Sequence, residues 1–131
     1  MKKICSILST LAILAIISSH EASAQKISLP SPSFKSDMLG AFSPDDVLNL
    51  ESSKKDELKS ANNKFLDDVL KIAGSNDSDE EKKKSLLDLG KKQSTTFEKL
   101  LGKDNAKKYK KSIKKKIRPF KTKYKLATLI L

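Results

Sequence analysis

The sequence is poor in the residues that build most metal, redox and catalytic sites. Its 131 residues include one Cys, one His and no Trp. A single Cys excludes a disulfide framework, and a single His excludes a metal site built from several imidazoles. Aromatic residues make up 5% of the chain and charged residues 33%, so only a modest core is possible. The composition therefore favours one small domain.

Residues 1–24 are predicted to be a secretory signal peptide. Two lysines at 2–3 precede the apolar stretch 4–17, and an Ala-Ser-Ala cleavage motif ends at Ala24. Cleavage before Gln25 removes the only Cys and the only His. The alternative is a membrane anchor, but a span needs about 20 apolar residues. We therefore expect a periplasmic or secreted protein whose mature chain lacks a transmembrane span, thiol and imidazole.

Apolar residues recur at steps of three and four along most of the mature chain, which is the period of an α-helix. We predict a flexible lead-in over 25–42 and a single all-α domain over 43–131. In the lead-in, an apolar patch at 37–42 could pack on the body as one helical turn. The predicted helices run over 44–73, 79–101 and 104–118, followed by a bent C-terminal piece. The first two should form a long antiparallel hairpin, and Pro119 should kink the third, basic helix.

Capping residues mark the predicted helix ends. Ser43 and Pro44 suit a helix start, and Gly74 suits a helix end. Residues 78–81 form a Ser-x-x-Glu capping box. Gly90 lies inside the second helix at a cost of about 1 kcal/mol relative to Ala. It is compatible with a kink, with a close helix crossing or with plain tolerance.

Positive charge is concentrated in the third helix. Residues 103–125 hold twelve basic residues and one acid, a net charge of +11, whereas 25–102 carry −1. Such a run favours an anionic partner. Pairing with acids at 45–57 or 77–81, or a solubilising role, are the alternatives. The lysines of this run that we assign to a partner surface are Lys107, Lys108, Lys110, Lys111, Lys114, Lys115 and Lys121.

The chemistry of the run favours an envelope surface as the partner. Anionic lipid, lipopolysaccharide and cell-wall polymer are accessible to an exported protein. Nucleic acid is disfavoured, because the chain is predicted to be exported and Arg118 is its only arginine, the residue that base readout prefers. Neighbouring acids such as Asp45 and Asp46 point about 100° apart on a helix. We therefore expect no enzyme, and no catalytic, cofactor or metal site.

Residues 101–109, L-G-K-D-N-A-K-K-Y, resemble the L-T-x-x-Q-x-x-x-aromatic pattern of the Spy and CpxP family of periplasmic stress chaperones. Residues 42–46 stand where a first copy would lie, and the resemblance covers about 40–105. Leu and the aromatic are kept, whereas Gly102 and Asn105 replace Thr and Gln. The signal peptide also resembles those of secreted proteins from the Bacteroidota.

The family resemblance implies a helical hairpin, often a homodimer, that holds unfolded clients without ATP on a surface of apolar and basic residues. The residues that would form that surface here are Ile113, Ile117, Phe120, Lys114, Lys115 and Lys121.

Two functions remain open, besides a purely structural role. The first is a non-catalytic, chaperone-like binding protein whose partners are protein clients. The second is an adaptor whose basic helix docks on anionic lipid or polymer. The apolar stripe 113/117/120/124 separates them: an exposed stripe would serve clients or membranes, and a buried stripe would leave only the lysines.

Overall fold

The computed structural model describes residues 26–131, which form helices and turns without a β-strand. The predicted all-α class is thereby confirmed. The predicted cleavage site between Ala24 and Gln25 lies outside the described residues. The elements in chain order are α1 (Phe34–Ala41), a 3₁₀ turn (Asp46–Leu48), α2 (Ser52–Ala73), α3 (Asp79–Leu101), α4 (Lys103–Ile117), α5 (Phe120–Lys123) and a second 3₁₀ turn (Lys125–Thr128).

Helices α2 and α3 pack side by side in opposite directions. Near their shared turn, the Lys82 ammonium donates to the Ala73 carbonyl at 3.0 Å. Farther along, the Gln93 amide donates to the Asn62 side-chain oxygen at 3.1 Å. At the start of α3, Ser78 forms the expected reciprocal capping box with the residue three positions on, which satisfies two otherwise unpaired donors. Helix α3 covers the predicted range, 79–101.

The first long helix begins later than the prediction of 44–73. Residues 46–48 form a separate 3₁₀ turn, and α2 starts at Ser52. The break lies at Asn49, whose φ of 44° is left-handed. Asparagine tolerates that conformation better than most residues. The break lets Leu48 turn into the core, so the helix-start signals at 43–46 belong to a short turn.

The prediction of a flexible lead-in over 25–42 was wrong for the residues that the structure describes. Helix α1 lies in this stretch, and Phe34, Met38 and Phe42 are fully buried or nearly so. Their spacing of four residues places them on one face of the helix. The apolar patch at 37–42, which was expected to pack on the body as one helical turn, does lie in and just after this helix, whereas the Pro and Ser content of 28–33 gave no sign that the helix starts at Phe34.

The main chain before α1 is also held in place. The Ile27 N–H donates to the Asp79 carboxylate at 2.9 Å, and the Ile27 carbonyl accepts from the Lys82 ammonium at 3.1 Å. Ile27 itself is buried. The segment therefore closes over the turn between α2 and α3, and it starts the folded domain at its first described residues.

The C-terminal residues pack against the hairpin. Helix α4 occupies nearly the predicted range 104–118, and Pro119 separates it from α5. Beyond α5, Leu126 and Ile130 are buried. A side chain added at Gly90 would place its Cβ 3.0 Å from the Ile130 carbonyl oxygen. Gly90 thus permits the C-terminal segment to cross α3 closely, one of the explanations that the sequence left open.

A chain of buried polar groups joins four parts of the fold. The Tyr109 hydroxyl donates to the Phe42 carbonyl at 2.5 Å and accepts from the Asn62 amide at 2.8 Å. Gln93 of α3 continues the chain through Asn62. Burial raises the pKa of the Tyr109 hydroxyl far above its usual range. Because each buried polar group needs its partner, this chain fixes which side of α4 faces the core.

Candidate functional site: the lysine face of helix α4

Helix α4 has one apolar side, and that side is buried. Ala106, Tyr109, Ile113 and Ile117 have essentially no exposed surface. The Tyr109 ring packs edge-on against Phe97 of α3, with 4.8 Å between ring centroids. Since residues along a helix are spaced by about 100°, every other side of α4 carries mainly lysines.

The apolar half of the predicted partner surface is therefore misplaced. Ile113 and Ile117 are core residues, and Phe120 is half-buried against the same core. Because the chain has few large apolar residues, the apolar side of α4 is needed to form the core. In this conformation, the two isoleucines are not available to a client or a membrane.

The lysines of the predicted surface are accessible. Lys110 and Lys121 are half-buried. The others are exposed: Lys107, Lys108, Lys111, Lys114 and Lys115. The structure thus keeps the basic half of the predicted surface at solvent and removes most of the apolar half.

Three cations of this region pair with acids of the same chain. Lys116 lies 2.5 Å from an oxygen of Asp45 and Lys123 lies 2.9 Å from Asp37. Lys110 lies 3.4 Å from Glu98. Internal pairing, one of the alternatives that the sequence left open, accounts for these three cations only.

The other nine basic residues of 103–125 have no carboxylate within 4 Å among residues 26–131. We call this set the lysine face. Its members are Lys103, Lys107, Lys108, Lys111, Lys114, Lys115, Arg118, Lys121 and Lys125.

The acids that do pair tie the N-terminal segment to the basic region. The Asp45 carboxylate accepts from the Lys116 ammonium and the Ser112 hydroxyl, which lower its pKa. The Tyr124 hydroxyl donates to Asp37 at 2.6 Å and, together with Lys123, lowers the pKa of that carboxyl. The sequence contained no local signal for either contact, because the partners are far apart in the chain.

These carboxylates predict a loss of stability in acid. An aspartate whose pKa is lower in the folded state stabilises the fold above its unfolded pKa, about 3.9. That contribution is lost as the pH falls through the lower, folded pKa. We expect the urea concentration at the unfolding midpoint to decrease as the pH is lowered below 4. In the double variant Asp37→Asn/Asp45→Asn, this midpoint should change less with pH than in the parent protein. Urea titrations from pH 7 to pH 2 measure this, and an equal pH dependence in both proteins would contradict it.

Within residues 26–131, no cluster of three or more His, Cys, Asp or Glu side chains could hold a metal ion. None of the described helices is long and apolar enough to cross a bilayer. The lysine face is the feature of these residues that stands out chemically.

Searches with protein-family models, curated proteins and solved structures found no match to this chain. The resemblance to the Spy and CpxP family therefore stays a prediction.

Proposed function

We propose that this chain is a non-catalytic binding protein that docks on an anionic lipid surface through the lysine face. The observation that carries the proposal is the set of nine basic residues at 103–125 without an acidic partner in the described chain. Lysines on a solvated helix are commonly balanced by acids three or four residues away. Here Asp104 is the only acid in the run.

The electrostatic effect is large enough for docking. Each Lys or Arg near an anionic membrane contributes about 1 kcal/mol, and the attraction fades within a Debye length of about 10 Å at 0.1 M salt. With all nine residues of the lysine face near such a surface, the total of about 9 kcal/mol would correspond to roughly micromolar binding. Lysine also suits a diffuse array of headgroups, since its ammonium acts as a point charge and needs no bidentate geometry.

The buried stripe favours this function over a chaperone. A holding chaperone needs exposed apolar surface for unfolded clients, and Ile113 and Ile117 do not provide it. The exposed large apolar side chains of the described residues are Leu29, Val47 and Leu87, which lie in three different elements or segments. The predicted signal peptide would deliver the protein to the envelope, where anionic lipids are present.

The proposal is tested by co-sedimentation with vesicles. We expect the chain from Gln25 to bind vesicles containing phosphatidylglycerol at 50 mM salt and to leave phosphatidylcholine vesicles unbound. Raising the salt to 500 mM should weaken binding by at least about tenfold, because surface charges are screened.

Binding that ignores lipid charge or salt would overturn the proposal. If the protein binds a soluble anionic polymer as tightly as anionic vesicles, or more tightly, then the partner is a polymer and not a lipid. Suppression of client aggregation at stoichiometric ratio would support the chaperone function instead.

A further inference from the structure

A groove runs along one flank of the lysine face, where α3, α4 and the last residues of the chain meet. Its volume is about 640 Å³, within the range of about 300–1,000 Å³ that is typical of ligand pockets. Residues of α3 form one wall, lysines of α4 form the other, and residues 129–131 lie between them.

The floor of the groove is aliphatic and partly open to solvent. Leu87 is 44% exposed, and it is an apolar residue on a side of α3 where most of its neighbours are polar. Leu129 and Leu131 are only half-buried. Gly90 adds no side chain, so the floor continues to the main chain of Ile130. Together these side chains form a small aliphatic surface that is bordered by lysines.

The rim is cationic on both sides. From α4, Lys107, Lys111 and Lys114 border the groove, and none of them has a carboxylate within 4 Å in the described chain. Lys110 shares the rim but contacts Glu98 at 3.4 Å. On the α3 side, Lys91 contributes a further ammonium, which lies 3.8 Å from a carboxylate oxygen of Asp88.

The spacing of the α4 lysines explains why they converge. Positions 107, 110, 111 and 114 follow steps of three and four residues, so they form one stripe on the helix. Lys108 and Lys115 belong to the same run but do not border the groove. The helix therefore separates its lysines into a groove stripe and an outer set, and this division provides matched controls.

We propose that this groove binds the acyl chain of a single anionic lipid, with the lipid's anionic head held by the stripe of Lys107, Lys111 and Lys114. The inference rests on the proposed function, since it names the lipid contact that the lysine face would make. The lysines would attract the anionic head of the lipid by charge complementarity, and the aliphatic floor would contact its acyl chain. A bound peptide would also need partners for its main-chain groups, which a floor of leucines does not provide.

The test is calorimetric titration with laurate below its critical micelle concentration. We expect saturable binding of one laurate per chain, with amide chemical shifts changing at Gly90 and Ile130. The uncharged glycerol ester of laurate should bind about tenfold more weakly, because it lacks the charge that the lysines attract.

Two pairs of variants separate the groove from general charge. Lys107→Gln/Lys114→Gln should weaken laurate about tenfold, whereas Lys108→Gln/Lys115→Gln, which removes the same charge, should change it less than about twofold. Leu87→Gln removes floor contact and should weaken laurate about tenfold. The control Val47→Gln replaces another exposed apolar residue, one that does not line the groove, and should bind as the parent does.

The outcomes distinguish the groove from the docking function. If the two lysine pairs weaken laurate binding equally, or if laurate does not bind saturably, the proposal that the groove binds a lipid is overturned. If vesicles still bind in that case, the docking function stands without it. If laurate binds as expected but anionic vesicles do not sediment the protein, the docking function fails. Stronger binding of an acidic peptide than of laurate would overturn the choice of occupant.

Discussion

Replacing Phe34 with alanine will lower the free energy of unfolding by about 3 to 5 kcal/mol. The Phe34 ring has no exposed surface and packs edge-on against Tyr124, with 5.1 Å between ring centroids. Removing it leaves a cavity that the surrounding helices can fill only in part. Urea unfolding followed by circular dichroism measures the change.

Leu29→Ala is the matched control for this prediction. Leu29 precedes α1 in the same segment but is 61% exposed, so its loss should cost less than about 1 kcal/mol. Small and equal effects at the two positions would indicate that the N-terminal segment is a loose lead-in after all.

Replacing Ile113 with alanine will lower the free energy of unfolding by about 2 to 5 kcal/mol. Ile113 lies at the centre of the buried side of α4, one turn beyond Tyr109 and one turn before Ile117. Vesicle affinity, measured on the fraction that remains folded, should stay within about twofold of the parent's, because Ile113 does not reach the surface. Denaturant titration and co-sedimentation give the two values.

Val47→Ala is the control here, since Val47 is 84% exposed and its truncation should leave stability nearly unchanged. A result in which Ile113→Ala folds with full stability and loses partner binding would contradict the buried stripe. It would return the isoleucines to the partner surface that the family resemblance implies.

Local patterns predicted the parts of the fold that local interactions determine. The capping box at 78–81 placed the start of α3 correctly, because both of its hydrogen bonds join residues three positions apart. The spacing of 106, 109, 113 and 117 predicted the third helix and its stripe. The excess of positive charge in 103–125 is a property of composition and can be read from the sequence. Only the structure shows which of these cations pair with acids.

Contacts between distant residues account for what the sequence did not predict. Whether the stripe of α4 faces solvent or core depends on Asn62, Gln93 and Phe42, which meet Tyr109 from three other segments. The Asp45 carboxylate contacts Ser112 and Lys116 of the basic region, 67 or more residues away, and no local pattern indicates those contacts.

The groove was missed for the same reason. Leu87 could have been noticed as an apolar residue outside the buried stripe of the second helix. Gly90 is compatible with a close approach, which is one of the three explanations that the sequence leaves open. Neither residue indicates that 129–131 would lie beside it, since that contact joins segments about 40 residues apart.

The most direct test of the account compares two triple variants in binding to phosphatidylglycerol vesicles. Lys108→Gln/Lys111→Gln/Lys115→Gln removes three charges from the lysine face, and Lys55→Gln/Lys59→Gln/Lys71→Gln removes three exposed charges from α2. At about 1 kcal/mol per lysine, the first should weaken binding on the order of 100-fold. The second should weaken it by only a few-fold. Equal losses in the two variants would contradict the account, because binding would then follow net charge and not the face of one helix.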